Sequence, residues 1–95
     1  MQQTLTSQER QLLKQKAHHL NPVVMIGQNG LTPAVLHEID TMLHAHELIK
    51  IRILGDDREE RTQMATEITQ ALSAHLVSHI GKLLIVYRKR KTEKK

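Results

Sequence analysis

The sequence contains no cysteine, no tryptophan and no phenylalanine, and Tyr87 is its only large aromatic side chain. Without cysteine there is no disulfide framework, no thiolate metal site and no thiol nucleophile. That composition suits a reducing compartment and makes the cytoplasm the expected location. Without aromatics the chain cannot stack a row of bases as RRM sheets and single-strand binders do. Long apolar runs are missing too. The longest, Leu83 to Tyr87, is far short of a membrane span, and Met1 to Thr6 has no apolar segment of the kind a secretion signal carries. No nucleophile elbow surrounds Ser7, Ser73 or Ser78, and the acids gather at the expected start of a helix as capping charges, so no catalytic activity is expected. Ninety-five residues suffice for one domain around one core.

The charge is unevenly placed. The formal net charge is +4, yet Arg88 to Lys95 holds six bases and one acid, leaving eight bases against nine acids in Met1 to Tyr87. A nearly neutral body thus carries a basic tail. Such tails solubilise, and they also contact phosphates; composition leaves both readings open. No internal repeat is present, and no low-complexity segment apart from this tail.

Thr6-Ser7-Gln8-Glu9 has the form of a capping box, and Leu13, Ala17 and Leu20 recur at i, i+4 and i+7, which predicts a first helix from Ser7 to Leu20. Asn21-Pro22 stops it, and the β-branched run Val23 to Ile26 predicts a strand. Gly27 and Gly30 bracket a turn, after which Thr32 is a good N-cap and Pro33 a good first helical residue. Val35, Leu36, Ile39, Met42 and Leu43 then supply a helical face reaching His46. Leu48 to Leu54 alternates, with Ile49, Ile51 and Ile53 on one face and Lys50 and Arg52 on the other, as a half-buried strand does. Asp56 or Asp57 caps a third helix with the stripe Met64, Ile68, Ala71, Leu72 and His75, ending near Ala74. Leu76 to Ile80, a Gly81-Lys82 turn and Leu83 to Tyr87 predict a β-hairpin whose second strand, apolar on both faces, should be central. The expected fold class is α/β: a single compact domain of order α-β-α-β-α-β-β, with a βαβ unit and a mixed four-stranded sheet.

Gly27-Gln28-Asn29-Gly30 is a GxxG turn leading into a helix N-terminus, where unpaired N–H groups and the dipole favour an anion. Glycine also allows close approach of a nucleic-acid backbone, the use KH domains make of a GXXG loop. The three helix starts differ. The first helix has Glu9 in its first turn and the third opens with Asp56, Asp57, Glu59 and Glu60, whereas Pro33-Ala34-Val35-Leu36 has no acid. The alternative is that the glycines serve positive φ alone and that Thr32 already satisfies this end. Lys50 and Arg52, together with Arg10, Lys14 and Lys16, are candidate phosphate contacts, or else an ordinary solvated face. Seven histidines invite a metal reading, notably His18-His19, His44 with His46, and His75 with His79. No HExxH or clustered carboxylates accompany them, so neither a metal nor any other cofactor is expected.

Four blocks carry a resemblance: Asn21-Pro22-Val23-Val24; Ile26-Gly27-Gln28-Asn29-Gly30-Leu31-Thr32; His46-Glu47-Leu48-Ile49-Lys50-Ile51; and Ile80-Gly81-Lys82 before an apolar strand ending Tyr87-Arg88. Together, in order and spacing, they resemble the YhbY family of stand-alone bacterial CRM domains over almost the whole chain. The resemblance implies a fold similar to the C-terminal domain of translation initiation factor three, RNA binding, association with precursor large ribosomal subunits and a part in ribosome assembly. It places a CRM-type domain at residues 1–88 and a basic tail at 89–95. The implied RNA-binding loop is Gly27, Gln28, Asn29 and Gly30, continued by Leu31 and Thr32, with Lys50, Arg52, Arg10, Lys14 and Lys16 as neighbouring bases, and with Arg88 at the end of the domain and Lys89, Arg90 and Lys91 in the tail. Gln28 departs from the basic residue that many CRM domains carry after the first glycine, which shifts the burden of affinity to bases elsewhere. A monomer acting on ribosomal RNA is the expectation; a protein-interaction module docking on a ribosomal protein or assembly factor is the rival.

Overall fold

Helix caps and β-branched runs partition the chain into seven elements. In the computed structural model, which describes residues 5–89, these are α1 (Ser7–Ala17), β1 (Pro22–Ile26), α2 (Pro33–His46), β2 (Leu48–Ile53), α3 (Arg58–Leu72), β3 (His75–Ile80) and β4 (Leu83–Tyr87). The α1 capping box forms in both directions: Glu9 N–H donates to Thr6 Oγ1 at 3.0 Å and Thr6 N–H to Glu9 Oε1 at 2.9 Å. Asp57, not Asp56, caps α3, accepting from Glu59 N–H at 2.9 Å. Helix α1 stops three residues before the expected Leu20, because His18 to Asn21 are needed to turn the chain into the sheet at Pro22; Leu20 is left partly exposed. Proline at the first residue of an edge strand removes no ladder bond.

The sheet order is β1-β2-β4-β3, with β1 and β2 parallel and the other two pairs antiparallel. Strand β4 is central, as its unbroken apolar run requires. Helices α2 and α3 cover one face, where Ile39 and Leu43, then Ala65 and Ile68, pack on Val24, Ile26, Ile49, Ile51, Ile53, Leu84 and Val86. Full burial of a side chain of this size is worth roughly 1.5–3 kcal/mol, so this layer carries most of the stability. Helix α1 lies on the opposite face over a smaller cluster of Ala17, Val77 and Ile85 with Leu13, Leu48 and Tyr87.

Met25, Arg52, Leu83 and Ile80 are successive cross-strand partners and form one row on the α1 side of the sheet; Met25 and Ile80 are 60% and 55% exposed, so α1 does not reach this end. The β3–β4 register shifts between Leu76 and Ser78. This bulge puts His75 opposite Tyr87 and His79 opposite Leu84, on opposite faces, so the two histidines of β3 do not share a face as an unbroken strand would make them.

Candidate functional site

The Gly27–Gly30 segment is a hydrogen-bonded turn: Gly30 N–H donates to Gly27 C=O at 3.0 Å, and Gln28 and Asn29 are exposed at its tip. The two glycines are there for different reasons. Gly30 has φ +72, the left-handed region where a Cβ is strained, so the turn itself demands it. Gly27 lies outside that region, and a Cβ added to it would meet nothing within 4 Å. The fold does not require glycine at position 27; an alanine would project into open space beside the turn.

Helix α2 begins directly beyond, capped by Thr32, whose Oγ1 accepts from Val35 N–H at 3.2 Å, and its first turn carries no acid. Strand β2 runs parallel to β1, so α3 starts at the same end of the sheet. Leu54 N–H donates to Ile26 C=O at 2.9 Å, tying the β2–α3 loop to the residue before Gly27. The acids of the α3 start, Asp57, Glu59 and Glu60, therefore sit at the end of the sheet that holds the turn, and Glu67 lines a groove with Leu31 and Leu36 between α2 and α3. An anion meets repulsion from the α3 side. On the α1 side it meets Arg52, paired with Met25 two residues before Gly27, and then Lys50 one step along the same face. The notch is electrostatically lopsided, and its favourable approach runs along β1 and β2.

The other basic candidates divide sharply. Arg10 turns its guanidinium onto the bulge of edge strand β3, donating to the carbonyls of Leu76 and of Val77, the latter at 3.3 Å. Arg88 donates from Nη1 to Asp40 Oδ1 at 2.7 Å and to Leu72 C=O at 3.0 Å, and from Nη2 to Asp40 C=O at 3.2 Å, joining β4 to both α2 and α3. Both guanidiniums are part-buried and spend donors on the fold, whereas the sequence marks them as candidate phosphate contacts. Lys14 and Lys89 are exposed, and Lys16 is exposed at the far end of α1 from its cap. Arg90 and Lys91 lie outside the described residues.

One cation was not singled out from the sequence. Arg61, in α3, is 8% exposed; its Nη1 donates to Gly55 C=O at 2.8 Å, and its Nε is buried without a partner. No carboxylate pairs with it among the described residues. It occupies the α3 stripe Arg61, Ala65, Ile68 and Leu72 at i, i+4, i+7 and i+11, a position that an apolar-periodicity reading skips because arginine is polar. Its guanidinium sits one residue from Leu54, and one turn further along α3, Met64 reaches Gly30. The guanidinium thus lies against the β2–α3 loop, at the end of the sheet that holds the notch.

No three histidine, cysteine or acidic side chains converge as a metal site among the described residues. His18 and His19 meet edge-on at 6.0 Å, and His75 stacks on Tyr87 at 6.4 Å with 26° between the rings.

With this geometry in view, the comparisons are specific. Residues 5–88 match the model of the CRS1 / YhbY (CRM) domain. The chain is 48% identical over 85 residues to a protein of Haemophilus influenzae named RNA-binding protein, covering 90% of this chain and 86% of that one. It is 31% identical over 90 residues to YqeI of Bacillus subtilis, named a probable RNA-binding protein, covering 95% and 94%. The solution structure of a Staphylococcus aureus protein, described as a candidate RNA binder, superposes with a TM-score of 0.83 at 30% identity and covers 96% of this chain and 95% of that one. The match of the family model over residues 5–88, with the same fold of three helices and a mixed four-stranded sheet in a solved relative, places this chain in the CRS1 / YhbY (CRM) domain family.

Proposed function

We propose that this chain is an RNA-binding protein that holds RNA backbone at the Gly27–Gly30 notch and acts on precursor large ribosomal subunits during their assembly. The observation that carries the site is Gly27. Its backbone does not need glycine and nothing in the protein crowds it, which leaves room for a ligand backbone to come close. The acid-free start of α2 supplies the favourable field, and Arg61, held on Gly55 C=O with no carboxylate partner among the described residues, adds a positive charge at the same end of the sheet. Lys50 and Arg52 lead away from the notch along β2, where a backbone could be followed residue by residue. The names of the relatives support RNA as the ligand class, and the family resemblance supports ribosome assembly as the setting. The role is to grip and position, with no chemical step.

The test is Gly27→Val in a filter-binding titration with large-subunit ribosomal RNA. The variant should keep its circular dichroism spectrum and thermal midpoint while affinity drops about tenfold, the effect of losing one or two phosphate contacts. Unchanged affinity in the folded variant would remove the notch from the site.

One observation favours a second reading. The row Met25, Arg52, Leu83 and Ile80 exposes apolar side chains beside the notch, as a protein-docking face would. If the chain stays with a ribosomal protein or assembly factor after the RNA has been digested and the particles dissociated, that reading prevails; release with the digested RNA supports the first.

A further inference from the structure

At the opposite end of the sheet from the notch lies a groove of about 680 Å³ between α1, the α1–β1 turn, the end of α2 and the starts of β1 and β2. Its floor is apolar, built from Leu13, Leu20, Val23 and Leu48, and one wall is Tyr87, the only large aromatic of the chain. Lys16, His19, His46, the Asn21 amide and one acid, Glu47, also line the groove. We propose that this groove accepts one unstacked nucleobase of the bound RNA, a second contact point beyond the notch. This rests on the RNA-binding reading above.

The chemistry suits that occupant. A planar base needs an apolar slot with an aromatic neighbour, and the aliphatic lining together with Tyr87, whose ring stacks on His75 at 6.4 Å, supplies one. Asn21 offers a donor pair and an acceptor, the groups that read a base edge. Lys16, His19 and His46 all line the groove, so its lining is complementary to a nucleotide despite Glu47. Continuity with the notch adds to this. Strand β1 joins the two sites: Val23 lines the groove, Ile26 abuts Gly27, and the five residues Pro22–Ile26 span roughly 17 Å at about 3.3 Å per residue. Lys50 and Arg52 stand on β2 along that path, paired with Pro22 and Met25, so a single strand leaving the notch passes two cations before it reaches the groove.

The test uses the full-length protein labelled with ¹⁵N, titrated separately with AMP, GMP, CMP, UMP, ribose 5-phosphate and N-acetyl-leucinamide. The nucleotides should shift the amide signals of His19, Asn21, Leu48 and Tyr87 saturably, ribose 5-phosphate should leave them nearly still, and N-acetyl-leucinamide should move them less than the best nucleotide. The inference is overturned if ribose 5-phosphate moves them as far as the nucleotides do, if none of the probes moves them, or if the leucine derivative is the strongest, which would make this a seat for a protein side chain. A second arm adds a single-stranded RNA of about twelve nucleotides. Both the groove amides and those of Gln28 to Gly30 should shift, and the folded variant Lys16→Glu/His19→Glu should bind about tenfold more weakly. Shifts at Gln28 to Gly30 alone would discard the groove and leave the notch standing, whereas no shift at either place would discard both.

Discussion

Replacing each glycine of the notch by alanine separates two kinds of requirement. At Gly30 a Cβ is forced into the left-handed region, so Gly30→Ala should cost about 1–2 kcal/mol in urea unfolding. Met64 Cε at 3.8 Å from the added carbon is ordinary contact and adds little. Steric tolerance at Gly27 predicts no such loss there, and the difference between the two variants is the measurement. Tyr87 offers a second residue-level test. Burial, then the charges of Glu47 and Glu9, push its phenol above the ordinary 10.0. The folded chain therefore holds this proton more tightly than the unfolded chain does. Its contribution to stability is full below pH 10.0 and declines as pH rises through the folded value. With no tryptophan and no other tyrosine, the phenolate absorbance reports this group alone, so its midpoint should lie above 10.0 and fall in Glu47→Gln. A midpoint at or below 10.0 in the folded protein contradicts the assigned causes.

Among elements, the arginines at the ends of the chain act as fasteners. Arg88 links β4 to α2 through Asp40 and to α3 through Leu72, and its own N–H donates to Glu47 C=O at 2.9 Å, holding the residue that ends α2 at φ +68. Arg88→Met should lose roughly 2–4 kcal/mol of stability, since a charge-assisted pair and a helix-end carbonyl lose their partner together. At equal folded fraction its RNA affinity should change less than twofold; a large loss of affinity with normal stability would return Arg88 to the binding surface. Arg10 does similar work for the layer with less apolar contact. Helix α1 fully buries only Ala17, so its bond to the bulged edge strand β3 helps keep it on the sheet and also covers carbonyls that an edge would expose.

For the molecule as a whole, the division between committed and available cations sets the expected salt dependence. Arg10 and Arg88 are engaged, and Lys82 pairs with Asp56 at 3.2 Å. Lys14, Lys16, Lys50, Arg52 and Lys89 remain on the surface. Four or five neutralised phosphates give a log–log slope of affinity against salt of about −3 to −4. A flat slope would remove backbone gripping as the mechanism. Much of this architecture is legible in the amino-acid sequence, because its signals are local. The capping box, the Pro33 start of α2, the alternation of Ile49, Ile51 and Ile53 and the unbroken apolar run of β4 each act within a few residues, and they set the element order and the central place of β4. The GxxG turn was legible for the same reason, and so was the acid-free start of α2. What the sequence could not carry was convergence. Whether an arginine faces solvent or an edge strand, whether the bulge puts His75 and His79 on opposite faces, and whether the α3 acids share an end with the notch all depend on strand order and register. These are settled by long-range pairing and burial, and only the tertiary structure decides them. Local pattern thus determined the elements and the turn, while packing decided which cations serve the fold, which stay on the surface, and that Arg61 is buried against Gly55 with no carboxylate partner among the described residues.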